Sequence, residues 1–404
     1  MKTKYLHILF LLCFLNFFSQ TPVSLETAYE KAVENNLQVK SGQLKIDYHH
    51  RIKNSAAVVD PLNITAEIGQ LNSAYADNAI SVNQKLRLPK FYQSQNQVLM
   101  EEWKNAMLTL EVQKLQLKRE LALSYNNLNY LDEKQKLLEK ADSIYSQYYQ
   151  RADLRLRAGE SNILEKTTAE NYRSQAEIQL QNLGKDREIS QHQLNYLIND
   201  AQYYTNQKGG FYIMELMSDG NYDGNATVLK QYDQQKNIEN AKLNAEKTKL
   251  LPSVNLGVTS ATQYGFGADE KFYDRGKRFQ SGLIGLDLPL FNTAQKSIIE
   301  GQKINQQIAE NNYQIAVKNL KNRYAVTFGA YLKLKSELEY YRSKGLKNAQ
   351  TIFFTANLLL KEGEINYLEY TMLVNQSLEI ENRYIDAQKL FNEKIIELNT
   401  LRAE

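Results

Sequence analysis

Residues able to do metal or nucleophilic chemistry are few in this chain and badly placed for it. The four histidines are His7, the adjacent His49 and His50, and His192, and the one cysteine is Cys13. No Cys/His or carboxylate set has the spacing of metal ligands, so neither a metal centre nor a cofactor is expected. On a helix, His49 and His50 would point about 100° apart and read as surface residues. No glycine-rich phosphate loop is present and no nucleophile stands beside a base, so an enzyme is not expected. What does recur is a carboxylate beyond a glycine. Arg157-Ala158-Gly159-Glu160-Ser161-Asn162-Ile163-Leu164-Glu165 is echoed by Lys361-Glu362-Gly363-Glu364-Ile365-Asn366-Tyr367-Leu368-Glu369, with the shared core Gly-Glu-x-Asn-x-Leu-Glu. Glycine accepts the left-handed conformation that ends a helix. A carboxylate near the start of the next helix offsets its dipole. The motif therefore predicts two helix reversals, each followed by an acidic residue, Glu165 or Glu369.

Two further echoes show that the whole chain is duplicated. Leu88-Pro89-Lys90-Phe91 matches Leu288-Pro289-Leu290-Phe291, and Asp60-Pro61-Leu62 matches Leu251-Pro252-Ser253. Two copies of one unit, 21–215 and 216–404, organise everything else.

With 404 residues, 18 glycines and only 5 prolines, the composition suits long helices. A net charge of +3 without a basic, aromatic-interleaved cluster excludes nucleic acid as a partner. Lys2 and Lys4 precede an apolar run from Leu6 to Phe18, which is too short to span a bilayer. Residues 1–20 therefore read as a cleaved secretory signal. Cys13 lies inside its apolar run, behind the bulky Leu12, and reads as signal core rather than a lipid anchor.

The prolines bracket stretches of strict alternation. Leu62, Ile64, Ala66 and Ile68 alternate with polar residues or glycine, as do Ile80, Val82, Leu86 and Leu88 after a turn at 72–78. Val254, Leu256 and Val258, then Ile284, Leu286 and Leu288, repeat the pattern. Period two predicts hairpins at 62–88 and 253–290, each with one apolar and one polar face. Each strand has about ten residues, the length a tilted strand needs to cross a bilayer. Tyr75, Tyr264, Phe266, Phe272, Tyr273 and Phe279 in the loops would form an aromatic girdle. Two soluble hairpins packed on a core are the alternative. In lipid, four strands cannot close a barrel, and an open edge there is costly. The membrane reading therefore requires at least two copies to share one barrel of eight strands or more.

Between the hairpins the period is helical. Long helices are predicted at 90–158 and 293–362, each roughly 100 Å long at 1.5 Å per residue. Return helices follow at 162–200 and 365–402, with a helix at 226–250, another over about 24–59, and an irregular insertion at 201–225 carrying Gly209, Gly210, Gly220 and Gly224. The lengths match in pairs, as antiparallel struts require. Met107, Leu110, Leu117, Leu121, Leu128, Leu131 and Leu138 form one stripe beside a second through Leu108, Val112 and Leu115. In the second half, Val317, Leu320, Tyr324, Tyr331, Leu334, Leu338 and Tyr341 do the same. Two seams suit a helix with neighbours on both sides, in a ring or in an ordinary bundle.

The chain at this point resembles the TolC family of outer-membrane efflux channels, over nearly all of its mature length. Ser24-Leu25-Glu26-Thr27-Ala28 with Ala32 and Asn35-Asn36 resembles the family's opening helix. Leu251 to Leu256 resembles its hairpin entry, and Leu288 to Asn292 with Gln295 and Lys296 its strand-to-helix junction. Asn72 to Asn78 and Arg155 to Glu160 are similar to the modules paired with heavy-metal resistance-nodulation-division pumps. The resemblance implies a mainly α fold with a small β part: a homotrimer with a periplasmic α-barrel of long antiparallel helices. Four strands per chain would build its twelve-stranded transmembrane barrel. It implies an outer-membrane location with a periplasmic extension, outer-membrane lipid around the barrel, and a passive duct. The duct would be fed by an inner-membrane pump and a periplasmic adaptor. Arg157, Gly159, Glu160, Ser161, Lys361, Gly363 and Glu364 would meet the adaptor. Glu369, and with it Glu165, would line the aperture. The family's second acidic position is Met372 here and its tip arginine position is Ile365, so the closing network differs. The cargo would be metal cations, or alternatively drugs or polypeptides. A soluble periplasmic coiled-coil scaffold is the rival from another class.

Overall fold

The structure is a computed structural model, and it describes residues 21–72, 74–216 and 226–403. The expected signal, with His7 and Cys13, lies outside those residues, as do Gly220 and Gly224. The elements in order are β1 (Thr21–Val23), α1 (Leu25–Asn35), α2 (Leu37–Ile52), β2 (Asn63–Gly69), β3 (Asp77–Arg87), α3 (Pro89–Arg157), α4 (Ile163–Ile198), β4 (Tyr204–Asn206) and α5 (Thr227–Thr248). Then come β5 (Ser253–Thr262), β6 (Gly265–Phe266), β7 (Phe272–Tyr273), β8 (Arg278–Asp287), α6 (Thr293–Tyr340), α7 (Leu346–Glu362) and α8 (Tyr367–Ala403). The chain is thus mainly α with a small β part. It forms two compact units, and neither is a sequence repeat. One contains residues 1–41, 111–227 and 318–404, the other 42–110 and 228–317, so each takes segments from both halves.

In the second unit, β2, β3, β5 and β8 form one antiparallel sheet in that order. The two hairpins join through β3 and β5, with Val82 opposite Val258 and Lys85 opposite Asn255. The connection from β5 to β8 carries its own small ladder, β6 against β7, within what the sequence shows only as a long loop. Below the strands, carboxylates hold neighbouring helices together. Burial pushes the carboxyls of Glu101 and Glu246 up, but hydrogen bonds from Gln234 and Lys104, and from Lys249 and Gln295, outweigh it. Both stay below their ordinary value. A depressed folded pKa gives stability that is present above the unfolded value and lost as pH falls through the folded one. Replacing Glu246 with Gln is therefore expected to lower stability at neutral pH and to flatten its loss between about pH 5 and pH 3. Melting measured across that range checks it, and an unchanged slope would remove Glu246 from the acid response.

In the first unit, small residues bring helices close. Ala152, Ala169, Ala349 and Ala356 are fully buried, and Ser377 Oγ donates to the Ala349 carbonyl at 2.8 Å. Aromatic and aliphatic side chains fill the rest, among them Tyr145, Tyr370, Val374, Phe391 and Ile395. Three features depart from the sequence expectation. The helix expected over 24–59 breaks at Asn36, whose Oδ1 accepts from Gln38 N at 2.9 Å while its Nδ2 reaches the Leu197 carbonyl. It closes in a 3-10 turn at Lys53–Ala57. The helix expected over 293–362 is interrupted by a π turn at Tyr341–Gly345. A Cβ on Gly345 would lie 2.9 Å from the Tyr341 ring, so the missing side chain is what lets the widened turn close. The insertion at 201–225 is not wholly irregular. Its β4 pairs in parallel with β1, and Asn206 donates to Asn129 (2.8 Å) and Asp132 (2.7 Å). Arg187 pairs with the same Asp132, so a buried polar network pins the insertion to α3.

Candidate functional site: two reversal turns and an amphipathic sheet

Each reversal is built by the shared motif itself. At the first, Gly159 has φ 74° and Glu160 N donates to Arg155 O at 2.9 Å. At the second, Gly363 has φ 77° and Glu364 N donates to Leu359 O at 2.9 Å. Both are left-handed helix ends of the Schellman kind. The spacing of Asn and Glu shared by the two motifs is the start of the next helix. Asn162 Oδ1 accepts from Glu165 N at 3.1 Å, and Asn366 Oδ1 from Glu369 N at 2.9 Å. At the second turn the Glu369 carboxylate also accepts from Asn366 N at 2.9 Å, completing a reciprocal capping box. The motif is thus a stop-and-restart signal, readable from an N-cap residue three positions before an acid.

The two acids differ. Glu165 is largely covered, with its carboxylate held by Ser161 and by Arg155 at 3.2 Å. Glu369 is exposed, bonded to its own cap, and flanked by the exposed Leu368 and Met372. Arg155, which the sequence reading quoted only within a resembling stretch and did not name as a site residue, is the hub. It also donates to the Glu160 carbonyl at 3.1 Å, and its guanidinium sits 4.8 Å from the Tyr367 ring at the head of α8. Tyr367 stacks on Tyr148, with centroids 5.5 Å apart. The two turns are therefore brought together in one patch. Asp153 was also missed; it pairs with Arg157 and with Lys166, both at 2.7 Å. Gly159, Glu160, Lys361, Gly363 and Glu364 are all exposed, as is the Arg157 side chain, while Ser161 is half-buried against Glu165. Nothing lies within 4 Å of where a Cβ would stand on either glycine. Leu154 and Leu358, five residues before the respective glycines, are exposed at 65% and 54%.

The sheet separates its faces. Ile64, Val82, Val258, Leu256, Ile284 and Leu286 fall on one face by the ladder register. Ile284 is 85% exposed and Ile64 67%. The opposite face is mainly polar: Ser81 and Thr259 share a hydrogen bond at 2.9 Å, and Lys85 pairs with Asp287, also at 2.9 Å, although Leu283 and Phe279 lie on the same face. Strands β3, β5 and β8 have 11, 10 and 10 residues, enough to cross a bilayer when tilted. Among the described residues, the outer edges of β2 and β8 pair with nothing. The loop aromatics cluster at the β5–β8 connection, where Tyr264 meets Tyr75 and Phe272 edge-on at 5.1 and 5.6 Å.

No group of His, Cys, Asp or Glu among the described residues could hold a metal ion, and no described helix is long and apolar enough to cross a membrane. His50 packs edge-on to Trp103, His49 is half-buried rather than a free surface residue, and His192 shares a hydrogen bond with the Tyr203 hydroxyl.

No family model and no curated protein matches this sequence. Solved structures do. CusC, described with transmembrane channel formation, superposes with a TM-score of 0.78 at 16% identity, covering 95% of this chain and 93% of its own. The outer membrane channel CmeC of Campylobacter jejuni gives 0.75 at 14%, covering 96% and 90%. The MtrE outer membrane channel of Neisseria gonorrhoeae gives 0.75 at 17%, covering 94% and 89%. The fold is that of TolC-type outer-membrane channels.

Proposed function

We propose that the chain is the outer-membrane exit duct of a tripartite efflux system, a passive conduit fed by an inner-membrane pump through a periplasmic adaptor. The observation that carries this reading is the sheet. An apolar face open to its surroundings, a polar face behind it and two unpaired edges are what a fragment of a membrane barrel looks like. Four strands are too few to close, and three copies give twelve. The channel fold supports the same reading. A soluble coiled-coil scaffold would leave the Ile284 face uncovered in water. The test is detergent extraction from the outer-membrane fraction and the mass of the purified particle. Three chains are expected, and a water-soluble single chain would end the proposal.

The patch of both reversal turns is the proposed adaptor-docking surface, with Arg157, Gly159, Glu160, Ser161, Lys361, Gly363 and Glu364 as its contacts. Their exposure and the open space over both glycines support it. Glu369 is the proposed aperture residue. Glu165 is a weaker candidate, because Arg155 and Ser161 already satisfy its carboxylate. Three Glu369 carboxylates in a ring would favour cations. Glu369→Gln keeps the capping box, since glutamine serves at that position, and removes only the charge. Its expected effect in planar bilayers is a reduced cation preference. An unaltered preference would take Glu369 out of the pore.

Metal cations are the proposed cargo, on the likeness of 72–78 and 155–160 to channel modules of heavy-metal pumps. With no ligand cluster among the described residues, selection falls to the pump. Loss of the gene should sensitise cells to metal ions. Sensitivity to drugs alone, or a block in polypeptide export, would replace that cargo without touching the fold.

A further inference from the structure

The sheet-bearing unit uses one side-chain clamp three times. Glu101 on α3 gives one carboxylate oxygen to Lys104 at 2.9 Å and the other to Gln234 Nε2 of α5 at 2.5 Å, and the same amide donates to the Glu101 carbonyl at 3.0 Å. Glu239 on α5 is held likewise by Lys242 at 3.0 Å and by Gln302 of α6, at 2.6 Å to the carboxylate and 3.3 Å to the carbonyl. Glu246 on α5 is held by Lys249 at 2.7 Å and by Gln295 of α6, at 2.8 and 3.0 Å. The lysine is always three residues on, and the glutamine always comes from the neighbouring helix. The clamped carboxylates are only 8, 11 and 21% exposed. A charge so covered and so fully bonded fixes the register of two helices.

The clamps follow two of the three strand pairs; β2 also pairs with β3, but α2 carries no glutamate and among the described residues no such clamp joins it to α3. β3 pairs with β5, and the attached helices α3 and α5 are clamped. β5 pairs with β8, and α5 and α6 are clamped. In that order the glutamate sits on one helix and the glutamine on the next. The two unpaired edges belong to β8, which α6 follows, and β2, which α2 precedes. α6 carries the fourth Glu-x-x-Lys pair on the helices of this unit. Glu300 binds Lys303 at 2.7 Å through one oxygen, but its side chain is 67% exposed and no glutamine among the described residues reaches it. On α2, Gln43 is exposed, and among the described residues its amide bonds to nothing. The duplicated sequence gives the register. Gln43 lies as far before Pro61 as Gln234 lies before Pro252, and Glu300 lies within one residue of the place after Pro289 that Glu101 holds after Pro89.

We propose that Gln43 of one copy clamps Glu300 of the adjacent copy wherever β2 of the first pairs with β8 of the second. The proposal rests on the reading that several copies share one barrel, and it names the contact that sets their register. An acceptor with one open oxygen meets a donor with an open amide, at matching heights on the helices attached to the two free edges. Apolar flanks accompany both: Ile304 and Ile308 beyond Glu300 are 56% and 49% exposed, and Leu44 and Tyr48 beside Gln43 are 68% and 59% exposed. The contact is head-to-tail, every copy both giving and receiving, which is the interface type that closes into rings.

The test uses the full chain in detergent, whose native cysteine is Cys13 alone. Gln43→Cys with Glu300→Cys is treated with a short bis-maleimide, and the mass of the uncross-linked particle is measured in parallel. A ladder up to the full particle is expected in the double variant and in neither single variant. A multi-copy particle that does not cross-link would overturn the clamp and leave the shared barrel standing; a single-chain particle would overturn both. Because the double cysteine removes the clamp itself, a second pair guards against failed assembly. Glu300→Lys should reduce the multi-copy particle measured by mass, and adding Gln43→Glu should restore it. Loss without restoration would overturn the pairing.

Discussion

Replacing both Gly159 and Gly363 with Asn is expected to reduce efflux-dependent resistance to that of cells lacking the gene, while the protein stays assembled and in the membrane. The choice of asparagine separates two effects that a bulky β-branched residue would mix. Both positions hold φ near +75°, and asparagine is the side-chain-bearing residue that best accepts this region. The cost of the exchange is then about 1 kcal/mol or less at each turn. Space adds nothing to it, since no atom lies within 4 Å of the new Cβ. The turns therefore form as before, but two side chains now stand over the surface proposed to meet the adaptor. Resistance in growth assays, read against particle mass and melting temperature, checks the result. Full resistance with both asparagines present would mean that the adaptor does not use the bare glycines. Loss of resistance together with loss of the oligomer would mean that the turns act on folding alone.

Ile284→Arg is expected to remove the protein from the outer membrane. Ile284 is the most exposed apolar residue of the sheet and lies opposite Leu256 in mid-strand. An arginine on the lipid face near the midplane costs about 2–4 kcal/mol, and a shared barrel incurs that cost once per copy. Ser281→Arg, on the polar face opposite Thr259, is the matched control and should insert normally. Fractionation followed by immunodetection reads both. Normal insertion of Ile284→Arg would show that this face does not touch lipid, and a defect in both variants would point to the strand rather than the face.

The four main strands were legible because period two is a local pattern that prolines delimit. Their order was not. The β3–β5 pairing joins residues from the two halves, and no local signal specifies which strand of one hairpin meets which strand of the other. The reversal turns were legible from glycine, but the reason for the whole motif was seen only when Asn162 and Asn366 proved to be caps for Glu165 and Glu369. Arg155 was missed as a site residue because its partners are a carbonyl, a carboxylate and a ring, brought together by the turn and by the packing of α8. The π turn was invisible because the apolar stripe through Leu334, Leu338 and Tyr341 runs straight into it. The widening depends on Gly345 lying against Tyr341, which spacing alone does not show. Asn36 broke a helix that the pattern would have continued, since its partner Leu197 comes from α4.

The junction between β3 and β5 also sets an order of events in time. As the exported chain emerges amino-terminus first, the first hairpin appears well before the second, with α3, α4 and α5 following in between. Until β5 arrives, β3 has one bare flank, and in the proposed shared barrel β2 would keep one until another copy arrives. Contacts between segments so distant in sequence form slowly, and exposed strand flanks beside apolar side chains invite wrong pairing in the meantime. The emerging chain thus passes through an interval in which its most adhesive surface is complete and its proper neighbours are not. Survival through that interval, more than the stability of the finished particle, is where substitutions in the first hairpin should show their cost, as lower yield at unchanged melting temperature.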